Sequence, residues 1–342
     1  MKTLNLEVLQ VRSFKIDSLR ALAAAALVAP ILLFGAYALV SYHAAFRSAE
    51  MKAAHLSSIL QEHAQRTFEG IHIALAHVDH QLAELDDQRV RTSKVAWDEV
   101  KRIQRIAPQL GSIFVVAADG SNLLTTREFP ASGKDFSDRD YFQAHKEPMN
   151  SIFLGRAYLG KISKEPIFNL SIRRSGDGFN GVIGSSANIS YFQEFYRTIG
   201  DSDENFTVVL MREDGEILAR HPAVNVEAGV PPARVALKGS LRQVSYAKSN
   251  IDGEHRVFAT SRVGMFPAYV AYTVAARSIR KRWIEDMLMP AAIAGSVGAV
   301  LLLLSLFALH RAQREAYALG QLHDEIERRR KVEASLFQSQ KL

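Results

Sequence analysis

Between residues 139 and 188 the chain concentrates side chains suited to holding a small polar molecule. They are Arg139, Tyr141, His145, Arg156, Tyr158, Asn169, Ser171, Arg173, Ser186 and Asn188. Arginine stays charged at any working pH, and its planar fork meets a carboxylate through two parallel hydrogen bonds. Tyrosine, asparagine and serine add neutral donors and acceptors. Together they point to binding of a small carboxylate. A second cluster, His72, His77 and His80 with Glu84 nearby, suggests a metal instead. His77, His80 and Glu84 can share one helical face. A zinc site wants three or four placed ligands, and the plainer reading is three surface histidines. A metal-binding or enzymatic domain is therefore the runner-up, marked by metal retained in the purified domain. The chain has no cysteine, which excludes disulfides, thiolate zinc sites and cysteine nucleophiles. No cofactor is implied.

The elements that position these residues show a period of two. In 166–174, Phe168, Leu170 and Ile172 alternate with Asn169, Ser171 and Arg173. In 152–159, Phe153, Ala157 and Leu159 are set against Arg156 and Tyr158, and in 181–189 Ile183 and Ile189 oppose Ser186 and Asn188. Each strand thus has an apolar face for packing on a helix. The polar faces would form one concave surface under the segment carrying Arg139 and Tyr141. The competing reading is a solvated sheet face. Convergent polar groups beside aromatics favour a pocket.

Around these strands the pattern predicts a long helix from His43 to about Val90, with apolar residues at three- and four-residue steps. A second helix runs from an N-cap at Ser93 to Ile106 and ends at Pro108. A strand over 112–118, an Asp119-Gly120 turn and a return strand over 122–127 follow. Ser137–Lys146 and Tyr191–Ile199 read as helices. The strand, Asp-Gly turn and return strand recur at 206–220, followed by strands at 240–247, 255–261 and 268–275. This predicts two stacked copies of one α+β module.

Two uncharged apolar runs flank this region, 21–42 and 287–309. At about 1.5 Å per residue the first reaches roughly 33 Å, enough to cross a bilayer. Ala36-Tyr-Ala38 offers a signal-peptide cleavage pattern, but the apolar run continues past it. Lys2, Arg12, Lys15 and Arg20 precede the first run; Arg311, Arg314 and 328–331 follow the second. Both ends therefore read as cytoplasmic, since basic residues stay inside. Arg277, Arg280, Lys281 and Arg282 oppose this, but a long intervening domain crosses regardless of charge. The formal net charge of +6 thus comes with basic flanks beside the membrane runs, not with a nucleic-acid surface.

The motifs Ser137-Asp-Arg-Asp-Tyr-Phe142, Ile152-Phe-Leu-Gly155, Asn169-Leu-Ser-Ile-Arg-Arg174, Gly178-Phe-Asn-Gly-Val182 and Tyr191-Phe192 resemble, in order and spacing, the double Cache family of bacterial extracytoplasmic sensors. The segment 211–222 is similar to the opening hairpin of that family's membrane-proximal module, and the resemblance covers roughly 51–284. It implies a long N-terminal helix, two PAS-like modules and a small ligand in the membrane-distal one. In the amino-acid-sensing branch an Arg is followed, after one residue, by two aromatics; Arg139, Tyr141 and Phe142 match that spacing. Lys134 stands where an aromatic is expected, and Ser186 and Asn188 stand near where an acidic residue would hold an amino group. The three arginines then favour a carboxylate over an amine.

After His310, Leu319, Leu322, Ile326 and Leu336 follow a heptad broken by Arg329 and Glu333, as in a marginal two-stranded signalling helix. A lone solvated helix is the alternative. Residues 327–342 look like the linker before the phosphoacceptor helix of sensor histidine kinases. With no phosphoacceptor motif and no Gly-rich ATP-binding region, the sequence reads as a truncated kinase or a product without its output. The expected architecture is α+β: cytoplasmic 1–20, a span at 21–42, a sensor at 43–286, a span at 287–309 and a cytoplasmic helix at 310–342. The distal module covers about 107–200 and the proximal one about 201–277. The expected role is a homodimeric receptor passing a small-molecule signal to a kinase or other output, with no catalysis of its own. The input half of a diguanylate cyclase or a chemoreceptor is the alternative.

Overall fold

The computed structural model describes residues 2–107, 109–147, 152–160, 166–199, 205–223 and 242–339. Pro108, the 201–204 loop, and the side chains of Lys2, Arg12, Lys15, Glu333 and Leu336 lie outside what is described. The chain divides into two compact units, Phe46–Ile279 and Met1–Ala45 with Arg280–Leu342.

In the first unit the helix α1 (Lys2–Leu82) lays down a buried stripe. Ala53, Leu60, Ala64, Phe68, Ile71, Leu75, Val78 and Leu82 are buried at steps of three, four and seven, one face of a 3.6-residue helix. The predicted helix to Val90 stops earlier, because Asp86 starts a new one. Its carboxylate accepts the Arg89 N–H at 2.8 Å and caps α2 (Asp87–Thr92). Ser93 caps α3 (Lys94–Ile106) as predicted, accepting from Ala96 N at 3.2 Å.

Two antiparallel sheets follow. The first is built from β1 (Leu110–Val116), β2 (Asn122–Thr125), β3 (Phe153–Leu154), β4 (Tyr158–Leu159), β5 (Pro166–Arg173) and β6 (Val182–Asn188), in the order β2-β1-β6-β5-β3, with β4 also on β5. Helix α4 (Asp140–Lys146) lies between β2 and β3 in sequence, and α5 (Ile189–Ile199) follows β6. The second sheet comprises β7 (Phe206–Arg212), β8 (Ile217–His221), β9 (Arg242–Lys248), β10 (His255–Arg262) and β11 (Ala268–Ala275), in the order β8-β7-β11-β10-β9. The matching β1-β2 and β7-β8 hairpins turn at Gly120 and Gly215, with φ of 92° and 87°. Only glycine takes that conformation without steric cost.

The apolar face of β5 packs as predicted. Phe168 meets Phe68 of α1 and Phe192 of α5, with ring centres 6.1 and 5.6 Å apart. Phe68 also meets Phe266 of the second module at 5.3 Å, and Ser57 of α1 bonds Ser261 of β10 at 2.8 Å. One aromatic core therefore joins α1 to both modules. Each such side chain removed from water contributes about 1.5–3 kcal/mol.

One predicted strand face is corrected. The 152–159 segment is not one strand: Gly155 to Ala157 interrupt it, and Gly155 N turns to Asn169 O at 2.8 Å. Parity does not carry across such a break. Phe153 pairs with Ser171 and Tyr158 with Ile167. Phe153 therefore shares the face of Ser171, not the opposite one.

In the second unit, the described parts of α1 and of α6 (Ala276–Ser339) include two helices long and apolar enough to cross a membrane. Their apolar side chains, Ile31, Leu32, Leu303 and Phe307 among them, are exposed, as a lipid-facing surface requires. Tyr42 and Trp283 meet edge to face at 5.3 Å, and a Cβ on Gly298 would lie 3.7 Å from Pro30. Small residues at such points let helices approach closely.

Candidate ligand-binding site

Helix α4 covers the polar face of the first sheet. Arg139 occupies its N-cap, and its carbonyl accepts from Phe142 N at 3.1 Å and Gln143 N at 3.0 Å. Asp140 fixes the start of the helix: its carboxylate accepts from Tyr141 N at 2.8 Å and from Arg156 N at 2.9 Å. Tyr141 and Phe142 then enter an apolar cluster with Val116 and Val182, flanked by Phe114, Phe136, Phe153 and Phe179.

Beside that cluster lies a cavity of about 50 Å³. Of the residues named from the sequence, Arg139, Tyr141, Tyr158, Asn169 and Ser186 line it. The Arg139 guanidinium stacks over the Tyr158 ring at 4.6 Å. Its Nε is buried without a hydrogen-bond partner, and Asp138 stands off at 3.9 Å. Asn169 donates through Nδ2 to the Tyr158 hydroxyl, while its Oδ1 is buried and unbonded. Two of the lining residues thus carry a buried donor and a buried acceptor without a hydrogen bond. Burial pushes the Tyr158 phenol up to about 12 and the Tyr141 phenol up as well, so both remain neutral hydrogen-bonding groups.

The remaining predicted residues serve the cavity from outside or lie away from it. His145 is fully buried behind it, with Nε2 2.9 Å from Ser171 Oγ and Nδ1 unpartnered. Burial first, and the Arg173 charge as well, hold its pKa below the usual range. Arg173 donates to the His145 carbonyl at 3.2 Å and lies over Phe179 at 5.4 Å. Phe142 packs edge-on against Phe179. Asn188 fills the space above Gly111, its Oδ1 2.6 Å from where a Cβ would stand. Arg156 is exposed, held by its backbone to Asp140. Of the three arginines, only Arg139 reaches the cavity.

Several lining residues escape the sequence reading: Ser112, Phe114, Asn122, Thr125, Arg127 and Phe136. Ser112 and Phe114 were accessible through the alternation of β1, and Ser112 bonds Ser186 at 2.7 Å. Gly184 was the further signal. It pairs with Phe114, and a Cβ there would come within 2.4 Å of the Phe114 ring. Glycine leaves room for that ring on the cavity floor. Arg127 adds a second cation, and no Asp or Glu stands among the described lining residues, so the walls favour an anion. Among the described residues no three His, Asp or Glu side chains gather to hold a metal; His72 lines a separate cleft.

No family model and no curated protein matches the chain. Solved structures do. The extracellular domain of rpHK1S-Z16, a protein named as a histidine kinase, is 24% identical, with a TM-score of 0.59 over 68% of this chain and 97% of its own. The ligand-binding domain of the Pseudomonas fluorescens chemoreceptor CtaA, solved with L-leucine, is 14% identical, with a TM-score of 0.50 over 69% and 99%.

Proposed function

We infer that the α+β, two-module fold, shared with a solved extracellular domain, serves sensing in this chain, as the double Cache resemblance implies. We propose that the chain is a two-span membrane receptor whose distal module binds a small carboxylate between α4 and the first sheet. The observation that carries this reading is Nε of Arg139, buried and without a hydrogen bond, with Asp138 no nearer than 3.9 Å, on a residue that lines a cavity with no acid among its described lining residues. Native proteins leave few buried donors unpaired, and a carboxylate would satisfy this one. The unbonded Asn169 Oδ1 suits a donor on the same ligand, such as a hydroxyl or an ammonium. The cavity is far smaller than the roughly 300 Å³ at the low end of drug-sized sites, which favours a ligand of few heavy atoms.

Signal transfer is read the same way. Helix α6 runs from Ala276 to Ser339, with Pro290 inside it. In a parallel homodimer with both termini cytoplasmic, such a helix would carry a conformational bias to a kinase-type output. The ligand can shift that equilibrium only by its differential affinity for the two states. Coupling of about 1–3 kcal/mol is typical, so the response should be graded.

A thermal-shift screen of residues 46–279 against acetate, lactate, pyruvate, amino acids and simple amines tests the site. A ligand at 100 times its Kd should add about 2.7 kcal/mol. Arg139→Ala should abolish the shift while the domain stays folded; an unchanged shift rules this cavity out. Reporter fusions at residue 15, within 201–204 and after residue 342 test the topology. An exported N-terminus, or cleavage after Ala38, rules it out.

A further inference from the structure

The second module holds a larger cavity, about 230 Å³, on the face of its own sheet. Strand pairing sets Arg220, Val209, Ala271, Thr260 and Gln243 in one row across that sheet. Arg220 stands on one edge strand and Gln243 on the other. Between them Val209, Met211 and Ala271 form an apolar patch with Tyr269, Thr260 stands next to Gln243, and Phe258 lies in the neighbouring row. At the two ends stand two buried polar atoms with no hydrogen-bond partner, Nε of Arg220 and Oε1 of Gln243.

Arg256, in the same cavity, is in a different state. Asp252 holds its Nη2 at 2.6 Å and its Nε at 3.0 Å, and Thr207 and Thr273 stand within 3.4 Å of Nη1. Its charge is therefore spent inside the wall. Arg220 forms no ion pair among the described residues. Burial and the neighbouring Arg256 charge lower its affinity for a proton, Asp252 on the cavity wall acts in the opposite sense without pairing with it, and an anion at hydrogen-bond distance would offset the first two. A donor unused at one end, an acceptor unused at the other and an apolar patch between them describe a molecule's outline.

We propose that this cavity is a second ligand site, taking a small monocarboxylate with an apolar body and a hydrogen-bond donor at its far end. The carboxylate meets Arg220, the body lies on Val209, Ala271 and Phe258, and the distal donor reaches Gln243 Oε1. The site stands apart from the Arg139 cavity and does not depend on it.

4-Hydroxyphenylacetate has this outline, and phenylacetate lacks only the distal donor. Both are titrated calorimetrically into the full chain in detergent micelles, with folding followed by circular dichroism. The parent should bind 4-hydroxyphenylacetate saturably, and more tightly than phenylacetate. Arg220→Ala should weaken binding by roughly tenfold or more, equivalent to about 1.4 kcal/mol. Gln243→Ala should remove the preference for the hydroxylated probe; it lies on an edge strand and keeps the test open if Arg220→Ala does not fold. Arg139→Ala should leave the affinity unchanged, which separates this site from the distal one. No saturable binding at millimolar probe, equal affinity in Arg220→Ala, an unaltered preference in Gln243→Ala, or loss of binding in Arg139→Ala each overturns the proposal.

Discussion

Acidification should destabilise the Phe46–Ile279 unit, and His145 should account for a separable part of the loss. Its side chain is fully buried, Nδ1 has no partner, and the only bond to the ring is from Ser171 at 2.9 Å among the described residues. Burial and the Arg173 guanidinium both disfavour the imidazolium, so the folded pKa lies below the unfolded value near 6.5. The unfolded chain then binds the proton first. The stabilising effect of neutral His145 is complete above about pH 6.5 and is lost as pH falls towards the folded pKa. One proton sets a limiting slope of about 1.4 kcal/mol per pH unit, and at most about 1 kcal/mol disappears between pH 6.5 and 5.5. Urea unfolding of residues 46–279 at several pH values between 7.5 and 5 measures this. His63 and His221 are also lowered by burial and contribute to the parent slope, so the comparison is with His145→Gln, which keeps both. The variant should be less stable at pH 7.5 and show a shallower dependence on pH. An identical slope in the two proteins, or a parent that gains stability on acidification, would refute the reasoning.

Gly184→Ala places a Cβ 2.4 Å from the Phe114 ring, and overpacking of this kind costs about 1–3 kcal/mol. Thermal unfolding should show the loss, and ligand affinity should fall with it because Phe114 lines the distal cavity. Asp87→Ala removes the carboxylate 2.6 Å from Arg174, whose side chain is only 4% exposed while that of Asp87 is 50% exposed. Breaking a buried pair costs about 3–5 kcal/mol, and solvent at Asp87 reduces this to roughly 1–2; urea unfolding that shows no loss contradicts the assignment. Leu319, Leu322 and Ile326 are exposed on α6 and free to face a second copy. In this cysteine-free chain, single cysteines placed there should crosslink between subunits in membranes, at rates that ligand changes. Absence of crosslinks at all three positions in folded, inserted protein would exclude the paired helix.

What the sequence revealed and what it hid follow from the range of the interactions involved. The capped helix at Ser93, both Asp-Gly hairpins and the strand faces of β5 were legible because each is decided within a few residues: a side-chain oxygen reaching three positions on, a glycine with positive φ, a period of two. The two apolar runs were legible for the same reason. The faces of 152–159 were not, because three residues leave the ladder there and reset the parity. That reset is driven by a distant partner, Asn169, to which Gly155 bonds.

The cavity itself lies beyond local rules. Arg139, Arg156 and Arg173 are equally basic in the sequence, yet three different environments receive them: a cavity wall, solvent and the back of a buried histidine. Alternation can put a side chain on a face, but which residues on that face converge is set by register between strands far apart in the chain. Ser112 reaches Ser186, and Phe114 crosses Gly184, only through the β1-β6 pairing. Unsatisfied atoms are further removed still. Arg139 Nε and Asn169 Oδ1 differ from their bonded neighbours only in what surrounds them, and the proposed ligand rests on this unused hydrogen-bonding capacity, not on the residue types. A carboxylate carrying its own donor would answer both at once, so the proposed ligand is narrower in chemistry than three arginines alone would allow.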